Sequence, residues 1–202
     1  LFKKLQTENR VDSLKVFQLV GLVHQKRREG EKIVNTDKRK HFGIYYTDYS
    51  IARLIAKESL SNSETSQIMD YKFFEPCSGT GIFIAAYFDE ALARLNKFDF
   101  KTLQGIVDNI YFSDIDDEAV DILVKMFPLY IQLKYGVSVK INSKNYHKGD
   151  ILFENKNDEI VKVDPRVIFG LDNGFDIVLT NPPYKLLKAN GDKYKDELNE
   201  NK

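Results

Sequence analysis

The sequence predicts an α/β fold in which a parallel sheet carries helices on both faces. Short apolar runs alternate with longer helical patterns from about residue 71 onward. Such strand–helix alternation along the chain is typical of parallel sheets. Residues 175–180 are apolar at their centre, as expected of a strand that is buried on both faces. These observations together favour a doubly covered parallel sheet.

The predicted elements follow one another in a regular order. Helices are expected at residues 11–29, 51–60, 82–95, 102–107 and 117–135. Strands are expected at residues 71–75, 110–113 and 175–180, with a weaker strand somewhere within residues 137–146. A polar excursion at residues 155–165 precedes the last strand. In parallel sheets of this kind, ligands bind beyond the carboxyl ends of the strands.

For two of the predicted helices, the sequence also predicts local features. Ile51, Leu54 and Ile55 recur at helical spacing and predict an amphipathic helix. Either Thr47 or Asp48 can cap the start of that helix. In the last predicted helix, a proline at position 128 is expected to kink or break the chain, because proline has no backbone N–H.

Composition limits the class of protein. The chain has 202 residues and is 43% hydrophobic, which is enough for a core of ordinary size. Its 30 basic and 30 acidic residues cancel, which excludes a strongly basic nucleic-acid wrapper. The basic surplus at residues 26–40 is interpreted as a solvated connector rather than a phosphate-contacting patch. One cysteine and three histidines exclude an internal disulfide and the usual zinc site, and no metal is expected.

The same composition predicts a cytoplasmic protein. No apolar run reaches the length of a membrane-spanning helix, so no contact with a membrane is expected. The first residues lack the apolar segment and the cleavage site of a signal peptide.

Each of the first three predicted strands ends at residues that could bind a ligand. The first leads into Glu75-Pro76-Cys77-Ser78-Gly79-Thr80-Gly81, where glycines permit a ligand to approach the main chain. The next helix offers free amide groups at its start. Asp114 follows the second strand, at a place where a carboxylate can accept both hydroxyls of a ribose. Asp150 follows the third strand. Taken singly, each loop is at least as consistent with a plain connection.

The fourth strand end is more specific. Asn181-Pro182-Pro183-Tyr184 follows an apolar strand directly. Two prolines fix the backbone and push the preceding residue toward an extended conformation. The result is a rigid platform with one amide side chain, one aromatic ring and exposed carbonyl groups. A plain turn does not require this composition, so the motif indicates a binding or catalytic site.

These motifs, in this order, resemble those of the S-adenosylmethionine-dependent amino-methyltransferases. The sequence is most similar to the N6-adenine DNA methyltransferases of restriction-modification systems, such as type I modification subunits and type IIG enzymes. The similarity begins at an aromatic-Thr loop at residues 41–47, where Asp48 replaces the usual proline. It continues through the glycine loop at residues 74–83 and the acidic positions at 114 and 150, and ends with the motif at residues 181–184.

The resemblance implies a Rossmann-like class I methyltransferase sheet, present here as its first four parallel strands, with S-adenosylmethionine over the strand ends. Four residues would form the catalytic platform: Asn181, Pro182, Pro183 and Tyr184. The asparagine and the Pro182 carbonyl would accept hydrogen bonds from the target amine, and the tyrosine would stack on a flipped adenine. The residues expected to contact the cofactor are Tyr46, Thr47, Glu75, Pro76, Cys77, Ser78, Gly79, Thr80, Gly81, Phe83, Asp114, Ile115, Asp150 and Ile151.

The resemblance also predicts how the chain is organised. An N-terminal helical segment is expected at residues 1–62, the methyltransferase core at residues 63–184 and a polar tail at residues 185–202. The family's remaining strands and its target-recognition region do not fit into that tail, and the chain begins without methionine. We therefore expect the front part of a longer enzyme, inactive on its own. Double-stranded DNA would be bound mostly through other regions, with restriction or specificity subunits as further partners.

Two other functions are compatible with the same motifs. The Asn-Pro-Pro-Tyr platform also serves enzymes that methylate a glutamine amide in a protein or a base in RNA, since a planar amide and an aminopurine edge present similar donors. A non-catalytic scaffold that keeps the fold is the alternative from another class. A nicotinamide-dependent dehydrogenase is disfavoured, because the glycine pattern is not Gly-x-Gly-x-x-Gly.

Overall fold

A computed structural model describes residues 12–34, 47–156 and 159–182 of the chain. The α-helices are α1 (Ser13–Val34), α2 (Tyr49–Ser59), α3 (Ile82–Leu95), α4 (Phe100–Asp108), α5 (Asp117–Tyr135) and α6 (Pro165–Phe169). The strands are β1 (Phe73–Glu75), β2 (Ile110–Asp114), β3 (Tyr146–Lys148), β4 (Phe153–Lys156), β5 (Glu159–Lys162) and β6 (Ile177–Val178). Short 3₁₀ helices occupy Thr65–Gln67 and Ser143–Asn145. Among these residues, no helix combines the length and the apolar character needed to cross a membrane.

Four strands form one parallel sheet in the order β3-β2-β1-β6. Phe73 of β1 pairs with Ile110 of β2 on one side and with Ile177 of β6 on the other. Phe112 of β2 pairs with Tyr146 of β3. The predicted α/β fold with a parallel sheet is therefore confirmed. The strands β4 and β5 form a separate antiparallel hairpin in the segment expected to be a polar excursion.

Neighbouring residues on the central strands pack into different apolar clusters. Phe73 belongs to the main core, which also contains buried residues from all five of the long helices α1 to α5. Phe74 belongs to a smaller cluster with Tyr111, Ile151 and Phe169. Because successive strand residues point to opposite faces, the main cluster lies on one face of the sheet and the smaller cluster on the other. The short helix α6 supplies Phe169 to that second face.

The helix α2 presents its apolar stripe to solvent rather than to the core. Ala52 and Ala56 are fully buried, whereas Ile51 and Leu54 are 53% and 59% exposed. Small residues one turn apart allow α2 to pack closely on α3, which is the neighbour it contacts most. The periodicity therefore predicted the helix correctly but not the face that it buries. Its start is capped by Asp48, which accepts a hydrogen bond from the Ser50 amide at 2.8 Å.

Three other expectations about single elements differ from the structure. The helix α5 runs unbroken through Pro128, because the flanking Phe127 and Tyr130 are buried in the core and their packing offsets the lost hydrogen bond. The third strand begins at Tyr146, later than most of the predicted range. The strand β6 has only two residues, and Val178 is 52% exposed, so this strand is not buried on both faces.

A buried carboxylate ties three helices together. Asp89 of α3 accepts hydrogen bonds from the hydroxyls of Tyr130 at 2.5 Å and Tyr135 at 2.8 Å, and from the Lys134 ammonium at 2.6 Å, all on α5. The Tyr49 hydroxyl of α2 also donates to it. Burial, followed by the negative charge of this aspartate, raises the pKa of each of the three tyrosines. The hydroxyls therefore remain protonated donors at neutral pH.

The strand order creates a switch point next to β1. From β1 the chain moves outward through β2 to β3, and it then returns to place β6 on the other side of β1. Connections on opposite sides of β1 leave a crevice between the carboxyl ends of β1 and β6, which is where parallel sheets bind ligands. The glycine loop follows β1, and Asn181 follows β6. The topology thus brings the two most informative motifs of the sequence to one crevice.

Candidate functional site

The glycine loop after β1 is fastened to the end of β2 by one carboxylate. Asp114 accepts hydrogen bonds from the Gly79 amide at 2.7 Å and from the Asp116 amide at 2.8 Å. The Ser78 amide donates to the Ser113 carbonyl at 2.9 Å beside this contact. Burial raises the pKa of Asp114, and the two amide donors oppose that rise. The ends of β1 and β2 therefore form one hydrogen-bonded unit.

The two glycines of this loop serve different purposes. Gly81 has a φ of 90°, and a Cβ placed there would collide with the Leu123 side chain of α5. Its role is close packing at the start of α3. Gly79 has a φ of 51°, and a Cβ placed there would meet no atom within 4 Å. The backbone at Gly79 thus borders open space, where a ligand can approach the main chain.

Glu75, the last residue of β1, is a buried carboxyl group with few donors. The residue is 2% exposed, and its Oε2 atom has no hydrogen-bond partner among the described residues. Burial, followed by the negative charge of Asp114, raises the pKa of Glu75 well above its ordinary value, although the Ile84 amide hydrogen bond opposes this. Burial therefore favours the protonated form of the side chain, which can donate as well as accept a hydrogen bond.

The Cys77 thiol lies where all four loops meet. Burial raises its pKa to about 11, and the negative charge of Asp114 adds to the effect. Glu75 and Asp150 act on the same thiol through their charge, and the Thr180 side chain lies beside it. These groups come from β1, β2, the loop after β3 and the end of β6. The thiol is therefore protonated at neutral pH, which is the less reactive form of cysteine.

The amide of Asn181 is held by a residue from the N-terminal part of the chain. Its Nδ2 atom donates a hydrogen bond to the Thr47 Oγ1 atom at 3.0 Å, across 134 positions of sequence. Thr47 directly precedes Asp48, the N-cap of α2, so its position is fixed by that helix. Because the NH₂ group of the amide points at Thr47, the carbonyl oxygen points away from it. The arrangement gives the end of β6 an oriented hydrogen-bond acceptor.

Part of this chain is similar to a known protein family. Residues 108–202 match the family model described as Eco57I restriction-modification methylase. The resemblance to restriction-modification methyltransferases is thereby confirmed. A modification subunit assigned to a type I restriction enzyme from Vibrio vulnificus YJ016 aligns with 86% of this chain at 18% identity and a TM-score of 0.44. The chain spans 30% of the length of that subunit. A search of curated proteins finds no match.

Other positions that the methyltransferase resemblance singles out lie around this crevice. Ile115 is 52% exposed directly after Asp114, which is unusual for an apolar residue next to buried strands. Asp150 accepts hydrogen bonds from the Leu152 and Phe153 amides at 3.0 and 3.2 Å, so its carboxylate also shapes its own loop. Pro76 accepts a hydrogen bond on its carbonyl from the Ser113 hydroxyl at 2.9 Å.

Several predicted cofactor residues have buried side chains in this α/β fold. Ser78 and Thr80 are buried within the glycine loop. Phe83 is 3% exposed and belongs to the main core, and Ile151 is 6% exposed and belongs to the smaller cluster. These four side chains therefore lie in the interior, where their packing supports the loops. Tyr46, Pro183 and Tyr184 lie outside the described residues, and Pro182 is exposed at their boundary.

Sequence reasoning missed Asp116, two positions beyond the predicted ribose acid. Its carboxylate caps α5 by accepting from the Glu118 amide at 3.2 Å. It also accepts from Arg28 Nε at 2.8 Å and lies 3.5 Å from His24 Nε2, both on α1. The capping role is visible in the sequence, because Asp116 precedes an acidic first helical turn. The contact with α1 spans 88 positions and leaves no such signal.

The ion pairs of Arg27 and Arg28 also bear on a possible metal-binding group and on the role of the basic segment. His24, Asp116 and Glu118 hold possible metal-ligand atoms within 4.8 Å of one another. Arg28 forms ion pairs with both of these carboxylates, and Arg27 forms one with Glu118, so the negative charge is matched by arginine. Within residues 26–28, the basic segment is more than a solvated connector, because both of its arginines form ion pairs with α5.

Proposed function

We propose that this chain transfers a methyl group from S-adenosylmethionine to the N6 amine of adenine in DNA, as part of a restriction-modification enzyme. The observation that carries the proposal is the oriented amide of Asn181 at the switch point of the sheet, hydrogen bonded to Thr47 at 3.0 Å. An oriented acceptor beside a glycine loop is what transfer to an amino group requires, because the amine must be held with its lone pair facing the methyl group.

The residues around the crevice fit the proposed cofactor. Its sulfonium group would supply an electrophilic methyl carbon. The open space at Gly79 supports close approach of the methionine portion to the loop, and the unpartnered Oε2 of Glu75 supports a polar group nearby. Asp114 would hold the ribose, for which its carboxylate has lone pairs beyond those used by the two amides. The exposed Ile115 would pack on the adenine ring, and Asp150 would bind the exocyclic amine of that ring.

The catalytic steps assigned to this chain are hydrogen bonding and positioning. Asn181 Oδ1 and the Pro182 carbonyl would accept hydrogen bonds from the target amine, and Tyr184 would stack on the flipped adenine. Extrusion of a base costs roughly a few kcal/mol, which such stacking partly offsets. With its lone pair so oriented, the amine nitrogen would take the methyl group as the bond from that group to the cofactor sulfur breaks, and the surplus amine proton would be lost to solvent. No covalent intermediate with the protein is required.

The partners follow from the same proposal. The chain carries 30 basic and 30 acidic residues, so its overall charge does not supply the attraction to phosphates on which DNA binding depends. We infer that most DNA contacts come from other domains or from a specificity subunit. Binding to DNA by the full reading frame should then weaken steeply with salt, whereas the 202-residue chain alone should show little DNA binding.

A methyl-transfer assay tests the proposal directly. Tritiated S-adenosylmethionine is supplied to the full reading frame with a duplex that contains adenine, or with a duplex in which hypoxanthine replaces adenine and removes the N6 amine. We expect label only in the first duplex, recovered as N6-methyladenine. RNA and a glutamine-containing peptide are the parallel substrates. Label in either of these, and none in DNA, would show that the acceptor was assigned wrongly.

Substitution of the proposed acceptor is the matching mutational test. Asn181→Ala should lower the rate of transfer by about 10²- to 10³-fold, which is the usual effect of removing one oriented polar group from an active site. Asn142→Ala is the control, because Asn142 is exposed and caps a remote 3₁₀ helix. Equal rates for the two variants would remove Asn181 from the mechanism.

A further inference from the structure

The first described helix is bound to the turn that follows the proposed ribose acid. Arg28 of α1 donates to Asp116 through Nε at 2.8 Å and through a second nitrogen, which makes a forked contact with the carboxylate. Asp116 is only 7% exposed. Forked, charge-assisted hydrogen bonds of this kind fix the orientation of a carboxylate as well as its position. The contact therefore orients Asp116 from outside the cofactor crevice.

Arginine supplies the charge in this contact. His24 also lies 3.5 Å from Asp116, but burial lowers the pKa of this histidine, so it is largely neutral at pH 7. Arg28 is 29% exposed on its side chain, and its guanidinium remains charged under all ordinary conditions. A buried carboxylate that loses its charged partner is strongly disfavoured and must move toward water or take up a proton.

Movement of Asp116 would reach the cofactor loop through two hydrogen bonds. The Asp116 amide donates to Asp114 Oδ1 at 2.8 Å, and Gly79 donates to Oδ2 of the same carboxylate at 2.7 Å. The chain of contacts thus runs from Arg28 to Asp116, then to Asp114, and then to Gly79. Each link is a direct hydrogen bond between described residues, so no step depends on a change of shape elsewhere.

We propose that Arg28 is a positioning residue for the cofactor site: its contact with Asp116 holds Asp114 and the Gly79 amide in the arrangement that binds the ribose and the glycine-loop ligand. The identity of that ligand rests on the proposed function, but the positioning itself does not. Helix α1 is then part of the cofactor-binding unit through its contact with the turn after β2. Changes that displace α1 should weaken cofactor binding.

The chain offers a matched control for Arg28 in the adjacent residue. Arg27 is also on α1 and also carries an ion pair to α5, but its partner is Glu118 rather than Asp116. Its side chain is 52% exposed, so the pair is accessible to water and contributes little to stability. Arg27→Gln removes one charge from the same helix without touching the Asp116–Asp114–Gly79 chain.

The first experiment measures the loop in the absence of any ligand. Amide hydrogen exchange is compared at Gly79 and Asp116 in the unmodified chain, Arg28→Gln, Arg28→Lys and Arg27→Gln. We expect exchange at both amides to accelerate by about 3- to 30-fold in Arg28→Gln, with a smaller change in Arg28→Lys and none in Arg27→Gln. Buried amides in α3 should be unchanged, which shows that the fold is retained. Unchanged exchange at Gly79 in a folded Arg28→Gln chain would overturn the proposal.

If Arg28→Gln does not fold, Arg28→Lys decides the same question. Lysine keeps the charge but cannot make the forked contact. Faster exchange confined to Gly79 and Asp116 supports the proposal, and exchange that is unchanged at both amides contradicts it.

The second experiment measures cofactor affinity by calorimetry with S-adenosylmethionine. Arg28→Gln should bind about 3- to 30-fold more weakly than the unmodified chain, and Arg27→Gln should bind equally well. If the unmodified chain binds no cofactor while the exchange result holds, the positioning role stands and the proposed function fails for this chain. If the unmodified chain binds and Arg28→Gln binds equally, the positioning role fails and the proposed function stands.

Discussion

Two buried acidic side chains in this protein, Asp89 and Glu75, differ in how many hydrogen-bond donors surround them. Asp89, beneath the helices, accepts hydrogen bonds from three tyrosine hydroxyls and one lysine. Glu75, at the end of β1, has one buried oxygen with no partner among the described residues. The two residues are 6% and 2% exposed, so burial alone does not distinguish them. The difference lies in the supply of donors.

This difference separates a structural acid from one that belongs to a site. A buried carboxylate with a full set of donors is stable and fixes the elements that supply those donors. A buried carboxyl group that is short of donors carries a free-energy cost, which the fold must offset elsewhere. Unpaired polar groups are uncommon in native proteins, and a catalytic or ligand-binding role is one explanation for such a group. We therefore propose that Glu75 belongs to the crevice and that Asp89 belongs to the scaffold beneath it.

The largest expected effect on stability comes from removing Asp89, the shared acceptor of the tyrosine and lysine hydrogen bonds. Asp89→Ala should lower the free energy of unfolding by about 3 kcal/mol, because Lys134 and the buried tyrosine hydroxyls lose their shared acceptor. In a chain of this size that corresponds to a fall of about 6–12 °C in melting temperature. Thermal unfolding followed by circular dichroism measures the change. Asp121→Ala is the control, because that acid pairs with Lys148 at the surface. Similar melting temperatures for both variants would show that the cluster does not stabilise the fold.

Replacement of Glu75, the acid that is short of hydrogen-bond donors, should stabilise the protein rather than destabilise it. Above the ordinary pKa of 4.5, the unfolded chain ionises Glu75, while burial makes the folded chain hold its proton to a higher pH. The unfolded state then binds fewer protons, so this group lowers the stability of the unmodified chain as pH rises above that value. Glu75→Gln removes the effect. The variant should equal the unmodified chain near about pH 4 and become progressively more stable toward about pH 7.

Urea denaturation of both proteins across that pH range tests the prediction. The gap between the two free energies of unfolding must widen with pH. A constant gap, or a variant that is less stable at neutral pH, would mean that Glu75 is ionised and satisfied in the folded chain. S-Adenosylmethionine titration of the same variant then reports whether the group also contributes to binding.

The smallest effect concerns the thiol between the four loops. The pKa of Cys77 is raised from 9.0 to about 11, which leaves about 100-fold less thiolate at pH 8 than in the unfolded chain. Since this is the only cysteine in the sequence, iodoacetamide labelling reports on it alone. Labelling at pH 8 should be about 100-fold slower in buffer than in urea. Equal rates would show that the thiol is neither buried nor surrounded by the three acids.

Much of the fold was predictable from the sequence, for identifiable reasons. The bounds of α3 (Ile82–Leu95) and α5 (Asp117–Tyr135) were predicted correctly. Both helices have long apolar periodicity, and the second starts with acids and ends before Gly136, which adopts a left-handed conformation with φ of 73°. Where the local signal was strong, the tertiary structure followed it.

The features that were missed depend on contacts between distant segments. Periodicity could not show that α2 buries Ala52 and Ala56, because that choice depends on close packing against α3. The β4–β5 hairpin was not predicted, because its charged residues are typical of a loop. The Arg28–Asp116 contact spans 88 positions, so no local pattern encodes it.

The candidate site was predicted residue by residue only through its motifs. Strand ends and the Asn-Pro-Pro-Tyr motif gave the positions of Asp114, Asp150 and Asn181, since parallel strands deliver their carboxyl ends to one edge. The partner of Asn181 was not predicted, because Thr47 lies 134 positions away. Nor could the sequence reveal that Asp114 accepts two backbone amides, which depends on the loop conformations.

The central claim is that loops from four strand ends form a single cofactor pocket. Backbone amide chemical shifts of the isotopically labelled chain, recorded during titration with S-adenosylmethionine, test it most directly. We expect the amide resonances of Gly79, Asp114, Asp150 and Asn181 to shift together with one dissociation constant. The amide resonances of the Asp89 cluster should not shift. Shifts confined to one loop, different constants at different loops, or no shift at saturating cofactor would contradict it.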